Sequence, residues 1–264
     1  VPDRITSTSN PRIKALARLK DRRSREDSSR FLVEGHRELE RARAAGVSLV
    51  EVLLAPDLAG EREKVLAAAL ADAGVPMLEV GTDAFAKLSM RSHPDGLLGV
   101  AARRDRTLAD LDPSASDALI LVLDGVEKPG NLGAIVRTAD GAGVDAVIVT
   151  GAGVEPTNPN AIRASQGAVF TVPIVIATAA EAQQWLQTCG IRTVAASPEA
   201  QRTLWNADLT GAVAVVVGAE AEGVSTAFRS TNTIVRIPML GMSDSLNASV
   251  AAGIMLYEAV RQRT

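Results

Sequence analysis

The stretch Leu119-Ile120-Leu121-Val122-Leu123-Asp124, followed after a short break by Pro129-Gly130-Asn131-Leu132-Gly133-Ala134-Ile135-Val136-Arg137-Thr138-Ala139, decides the fold. An apolar run without polar alternation predicts a strand covered on both faces, and Pro129 and Gly130 then interrupt the chain before a helix over 132–141. The alternation continues with a strand over 146–149, a helix over 180–187, and strands over 193–196 and 212–217. A short helix near 226–229, a strand over 233–237 and a long helix over 245–261 complete it. Continuous apolar strands separated by helices point to an α/β fold with a parallel sheet.

Toward the N-terminus the pattern is mixed α/β. Asn10-Pro11 opens a basic helix over 12–23 with Ile13, Leu16 and Leu19 recurring every three residues. Strands are expected over 31–33, 47–54, 75–80 and 96–102, and helices over 36–45, 61–73 and 82–88. The polar stretch 103–117, with Asp112-Pro113-Ser114 inside it, reads as a linker. The expected division is a small domain over 1–106, a linker over 107–117 and a second domain over 118–264. No internal repeat or low-complexity segment interrupts this order.

Composition narrows the function. The chain has 264 residues, 47% of them hydrophobic, which suffices for one large core or two small ones. Four Phe, two Trp and one Tyr are too few for a base-stacking platform. With Cys189 as the single cysteine and only His36 and His93 besides, neither a disulfide nor a metal centre is expected. No apolar stretch approaches the ~20 residues that span a bilayer, and no signal peptide is visible, so a cytoplasmic location is expected. The formal net charge is −3, which as a sum argues against a nucleic-acid partner. Its distribution does not. Between Arg4 and Arg25 lie eight basic residues and one acid, Asp21. That asymmetry suggests a basic face for RNA, with a solvated helix as the plainer alternative.

Three glycine-bearing junctions are candidates for nucleotide loops. Pro129–Gly133 holds no G-x-G-x-x-G, Gly151-Ala152-Gly153 is followed by Pro156, and Gly218…Gly223 is followed by Val224-Ser225 rather than Lys-Ser. Glu220 and Glu222 would repel phosphates there. A ligand anchored through pyrophosphate, and with it a nucleotide-dependent oxidoreductase, is disfavoured. In the first junction Asn131 can cap the helix, and Arg137, about 600° of helical rotation further on, need not share its face. At the Gly218 junction a strand runs straight into glycine, so backbone can approach a ligand. A further segment, Ile237-Pro238-Met239-Leu240-Gly241-Met242-Ser243-Asp244-Ser245-Leu246-Asn247, leads into a helix. Ser245, Asn247 and Ser249 fall in its expected first turn, and Ala248, Ala251, Ala252 and Gly253 allow close packing.

The order P-G-N-x-G-x-x-x-R-T, then G-x-E-x-x-G-V-S, then I-P-M…S-L-N-x-S-V-A resembles the SpoU family of RNA ribose 2′-O-methyltransferases, within the SPOUT superfamily. The likeness covers roughly residues 119–261. Arg163-Ala164-Ser165-Gln166-Gly167-Ala168 is similar to a further family stretch. Asn10-Pro11-Arg12-Ile13-Lys14 and Phe31-Leu32-Val33-Glu34-Gly35 resemble the small substrate-binding domain related to ribosomal protein L30e, as in ribosomal RNA modifiers and thiostrepton-resistance enzymes. The resemblance implies a deep trefoil knot in the second domain, S-adenosylmethionine as cofactor, and a homodimer whose active site uses both subunits. By motif position Gly218, Ile237, Met239 and Leu246 are the implied cofactor contacts. Arg137, Asn131, Glu220, Ser245 and Asn247 are the implied catalytic and target-binding residues.

A guanidinium stays protonated up to a pH above about 12, so Arg137 is expected to clamp the target phosphate and stabilise the developing alkoxide, with Glu220 orienting it. Asn131 and Asn247 would position ribose or cofactor. Arg4, Arg12, Lys14, Arg18, Arg22 and Arg23 would form the RNA-binding face. Met90-Arg91-Ser92-His93-Pro94 reads as a surface turn. The expected activity is 2′-O-methylation of RNA, with 23S ribosomal RNA preferred. Transfer RNA as substrate, or a non-catalytic ribosome-associated RNA-binding protein, are the alternatives.

Overall fold

The computed structural model describes residues 4–112, 116–151, 153–220, 222–229 and 233–264. The Pro113-Ser114 linker cue, Ala152 and Ala221 lie outside them. The chain divides into two compact units, Val1–Arg104 with Thr157–Thr171 and Asp105–Pro156 with Val172–Thr264. This corrects the expected division twice. Residues 157–171 belong with the first unit because Ile162, Val169 and Phe170 pack into its core, Phe170 stacking on Phe31 at 6.1 Å between ring centroids. Residues from Asp105 belong with the second, where Leu108 and Leu111 pack against the core.

The first unit runs α1 (Pro11–Ala17), α2 (Arg22–Ser28), β1 (Arg30–Glu34), α3 (His36–Ala44), β2 (Leu49–Leu54), α4 (Glu61–Asp72), β3 (Met77–Glu79), α5 (Thr82–Leu88) and β4 (Leu97–Ala102). Its sheet has the order β1-β4-β2-β3, with β4 antiparallel to both neighbours and β2 parallel to β3. The helix expected over 12–23 is broken in two. After a single 3-10 turn at Arg18–Lys20, Asp21 is extended (ψ 138). The buried Arg25 side chain donates to the Leu19 and Lys20 carbonyls at 3.1 and 2.7 Å, satisfying backbone acceptors that a continuous helix would have paired.

On the same unit, Gly35 has φ +110 and leaves no room for a side chain, since an added Cβ would lie 2.2 Å from the Arg91 guanidinium. Arg91 in turn pairs with Glu38 at 3.1 Å and Asp95 at 3.2 Å. These contacts brace the turn that exposes Ser92 and His93.

The second unit runs β5 (Leu119–Asp124), α6 (Pro129–Gly141) and β6 (Ala146–Thr150). Here α7 (Pro159–Ala164) and α8 (Ala168–Thr171) depart to the first unit. The chain resumes with β7 (Ile174–Ala177), α9 (Ala179–Thr188), β8 (Arg192–Ala196), β9 (Arg202–Thr203), β10 (Val213–Gly218), α10 (Thr226–Arg229), β11 (Thr233–Arg236) and α11 (Ala248–Arg263). Among the described residues the sheet order is β7-β6-β5-β10-β8-β11-β9, with every pairing parallel. β5 is buried at every residue, as its unbroken apolar run requires. Because all strands point one way, their carboxyl ends share one edge, where loops are free to build a site. α6 and α11 pack together through small residues: a Cβ added at Gly253 would sit 3.6 Å from Thr138, and one at Gly141 3.3 Å from the Tyr257 hydroxyl.

Candidate active site

At the carboxyl ends of β5, β6 and β10 lies a cavity of ≈ 700 Å³, lined by Asp124, Gly125, Lys128, Asn131, Glu220, Ser225 and Arg229 among others. Its floor is tied by one buried carboxylate. Asp124 accepts from the Thr150 hydroxyl at 2.6 Å with Oδ1 and from the Ser225 backbone N–H at 2.6 Å with Oδ2. It therefore fixes β5, β6 and the far end of the loop that leaves β10. That loop turns back tightly, with Ala219 and Gly223 exchanging backbone hydrogen bonds of 3.1 and 2.9 Å. Gly218 is obligatory for it, because an added Cβ would lie 2.1 Å from the Gly223 carbonyl carbon. Glu220 stands within this turn, over the cavity.

α6 begins one turn earlier than expected. Pro129 occupies the first helical position, where its fixed φ and missing N–H cost nothing, and the N-cap is Lys128, which makes no capping bond. Asn131 is thus not the cap, and its side chain is released for other work. Its Nδ2 donates to Glu220 Oε1 at 2.5 Å.

The third segment also shifts. Ser245 is outside α11, exposed and without a hydrogen bond to another described residue, and the N-cap is Asn247. The Asn247 Oδ1 accepts from the Ser249 N–H at 3.0 Å, as an N-cap should. Its other end stays free, and Nδ2 donates to Glu220 Oε1 at 3.1 Å and to Asn131 Oδ1 at 3.4 Å. Lys128 Nζ is bonded to the second Glu220 oxygen, Oε2. These donors, Lys128 first and Asn131 after it, hold the Glu220 carboxyl below its ordinary range. Such a carboxylate is a weak base, suited to orienting amides rather than to taking a proton.

The structure thus brings Asn131, Glu220 and Asn247 together from three separate segments. The expected Glu220–Arg137 pair is absent: Arg137 projects from the exposed face of α6 and makes no hydrogen bond or ion pair with another described residue. Six residues of helix carry it away from Asn131, and Lys128 takes the partnership instead. Lys128 was missed in the sequence because nothing in its immediate neighbours shows Glu220. The one available signal was a lysine standing where a capping side chain is usual.

Gly218, Ile237, Met239 and Leu246 do not line the cavity. Ala195 of β8 pairs with both Val216 and Ile234, so Gly218 and the residue after β11, Ile237, end at about one level on the same sheet edge. Gly218 is fixed by the turn, and Met239 and Leu246, each half-buried, flank the exposed stretch 240–245 that leads to α11.

Several basic residues of the first unit's N-terminal segment pair with carboxylates. Arg4 pairs with Asp57, Arg12 with Glu51 at 2.6 Å, Arg22 with Glu26 at 2.8 Å and Arg23 with Asp27 at 3.7 Å. Lys14 and Arg18, one turn apart on α1 and the residue after it, are exposed and have no such partner among the described residues.

The family model described as the SpoU rRNA methylase family matches residues 118–257. The chain belongs to the SpoU rRNA methylase family. Residues 10–99 of this SpoU member match an MRM3-like substrate-binding domain. It is 35% identical over 241 residues to the 23S rRNA (guanosine-2′-O-)-methyltransferase RlmB of Ralstonia nicotianae, covering 89% of this chain and 97% of that protein. A crystal structure described as an RNA 2′-O ribose methyltransferase superposes with TM-score 0.88 at 46% identity, covering 98% of this chain and 99% of that one. An AdoMet-bound rRNA methyltransferase from Sinorhizobium meliloti superposes with TM-score 0.89 at 30% identity, covering 98% and 97%.

Proposed function

We propose that the protein transfers a methyl group from S-adenosylmethionine to a ribose 2′-oxygen of 23S ribosomal RNA. The observation that carries this reading is the convergence of Asn131 and Asn247 on Glu220, beside a cavity at the carboxyl edge of a parallel sheet. S-adenosylmethionine supplies an electrophilic methyl group on a sulfonium. Gly218, Ile237, Met239 and Leu246 would hold it by backbone and apolar contacts, which needs no phosphate-binding loop. Asn131 and Asn247 orient the ribose through amides that Glu220 fixes, so that most of the rate gain is alignment. Arg137, always protonated, would bind the target phosphate and stabilise the alkoxide as it develops, with the hydroxyl proton passing to solvent and S-adenosylhomocysteine as the leaving thioether. Ser245 is a second contact for the hydroxyl.

The exposed, unpartnered Arg137 on α6 supports a site completed by a second copy of the chain, in a homodimer. Val250 and Tyr257 of α11 are 49% and 52% exposed, and Leu240 and Met242 almost wholly so, which gives such a dimer apolar surface to bury. The family's trefoil knot belongs to the same reading, as does a separate RNA-binding role for the first unit, carried by Lys14 and Arg18 with smaller parts for Arg4, Arg12, Arg22 and Arg23. No described helix is long and apolar enough to cross a membrane, and a ribosomal RNA substrate supports a cytoplasmic location.

The test is transfer of labelled methyl from S-adenosylmethionine to total RNA, followed by mapping of the alkali-resistant ribose. Label in the large ribosomal RNA is expected. Label in transfer RNA alone would move the substrate, and no label in any RNA would end the reading.

A further inference from the structure

Resting on that reading, we propose that Lys128 is a positioning residue for the reaction, holding Glu220 where it fixes Asn131 and Asn247. Lys128 breaks two local rules at once. A helix start favours a short side-chain acceptor and repels a cation through the backbone dipole, yet here the N-cap is a lysine with no capping bond. Local rules broken without local compensation are a mark of functional or strained sites. The compensation here comes from across the fold, in the Glu220 carboxylate.

The division of that carboxylate shows the role. Oε2 takes the Lys128 ammonium, and Oε1 takes the Asn131 amide at 2.5 Å and the Asn247 amide at 3.1 Å. A carboxylate held only through Oε1 can rotate about its terminal bond and release either amide. One held at both oxygens cannot. Lys128 thus converts two separate asparagine contacts into one rigid bracket between the start of α6 and the start of α11. Both members of the pair reach solvent, with side-chain exposures of 68% for Lys128 and 33% for Glu220, so the pair adds little to folding. Its loss should register in turnover.

The test compares wild-type enzyme with Lys128→Met, which keeps the apolar stem, and Lys128→Arg, which keeps the charge. Readouts are kcat, KM for RNA, S-adenosylmethionine affinity by calorimetry, and the Glu220 carboxyl titration by carbon NMR. Lys128→Met is expected to lower kcat about tenfold with cofactor affinity within about twofold, and to move the Glu220 midpoint upward. Lys128→Arg is expected to restore most of both. In a Glu220→Gln background, Lys128→Met should cost less than about twofold more, because the two residues act as one. Unchanged kcat in Lys128→Met, an unmoved Glu220 titration, or a full additive loss in the Glu220→Gln background would each overturn the role. Absence of methyl transfer by the wild type would instead overturn the function reading, and this role with it.

Discussion

Replacing Asp124 by alanine should loosen the second unit and, with it, the loop that presents Glu220. Asp124 is 5% exposed and Thr150 is 0% exposed, so the buried Thr150 hydroxyl would lose its protein partner. The N–H of the exposed Ser225 would lose the other. Hydrogen bonds to a charged acceptor contribute about 1.5–3 kcal/mol each, and an orphaned buried donor costs about 1–3 kcal/mol. Relief of the buried carboxylate's own desolvation offsets part of this. The net expectation is a loss of about 3 kcal/mol for Asp124→Ala. Asparagine should behave differently. Its Oδ1 can accept from Ser225 while its Nδ2 donates to Thr150, whose hydroxyl rotates to accept, leaving a loss of about 1 kcal/mol. Urea denaturation followed by tryptophan fluorescence measures this, since Trp185 and Trp205 both lie in the second unit. Asp124→Asn as unstable as Asp124→Ala, or Asp124→Ala within about 0.5 kcal/mol of wild type, would refute the reasoning.

Arg137→Ala is expected to abolish methyl transfer while leaving S-adenosylmethionine binding measurable by calorimetry; near-normal transfer would remove Arg137 from the site. Neutralising Lys14 and Arg18 together should make the salt dependence of RNA affinity shallower by roughly 1.5 in log–log slope, more than neutralising the ion-paired Arg22 and Arg23. Equal effects would show that pairing in the free protein does not matter. Glu258 has its carboxyl lowered from 4.5 to about 2, chiefly by its hydrogen bond to Arg261 and then by Gln262. A depressed carboxyl contributes stability that is complete above the unfolded value and fades as pH falls through the folded one. Melting temperature should therefore fall more steeply from pH 4.5 toward about 2 in wild type than in Glu258→Gln. Parallel curves would refute it.

Much of the fold was legible because its signals are local. The unbroken apolar runs at 119–123 and 212–217 became β5 and β10 of a fully parallel sheet, and the helices over 61–73 and 82–88 became α4 and α5 within a residue or so. The failures have non-local causes. The basic helix over 12–23 breaks because the Arg25 guanidinium caps carbonyls behind it. α7 and α8 carry a familiar-looking stretch, yet their apolar residues complete the core of the first unit. The long C-terminal helix starts at Ala248 rather than Ser245, since Asn247 is the better cap and also finds Glu220.

The site divides in the same way. Sequence by itself determined the cast: three motifs in a fixed order, a parallel sheet to hold them, and an N-terminal segment rich in positive charge. Those are properties of neighbours along the chain, where period, apolarity and turn chemistry act within a few residues. Only the tertiary structure decided the partnerships, because charge pairing acts through space between residues far apart in sequence. It gave Glu220 to Lys128 and the two asparagines, left Arg137 on an open face, and neutralised Arg4 and Arg12 with Asp57 and Glu51.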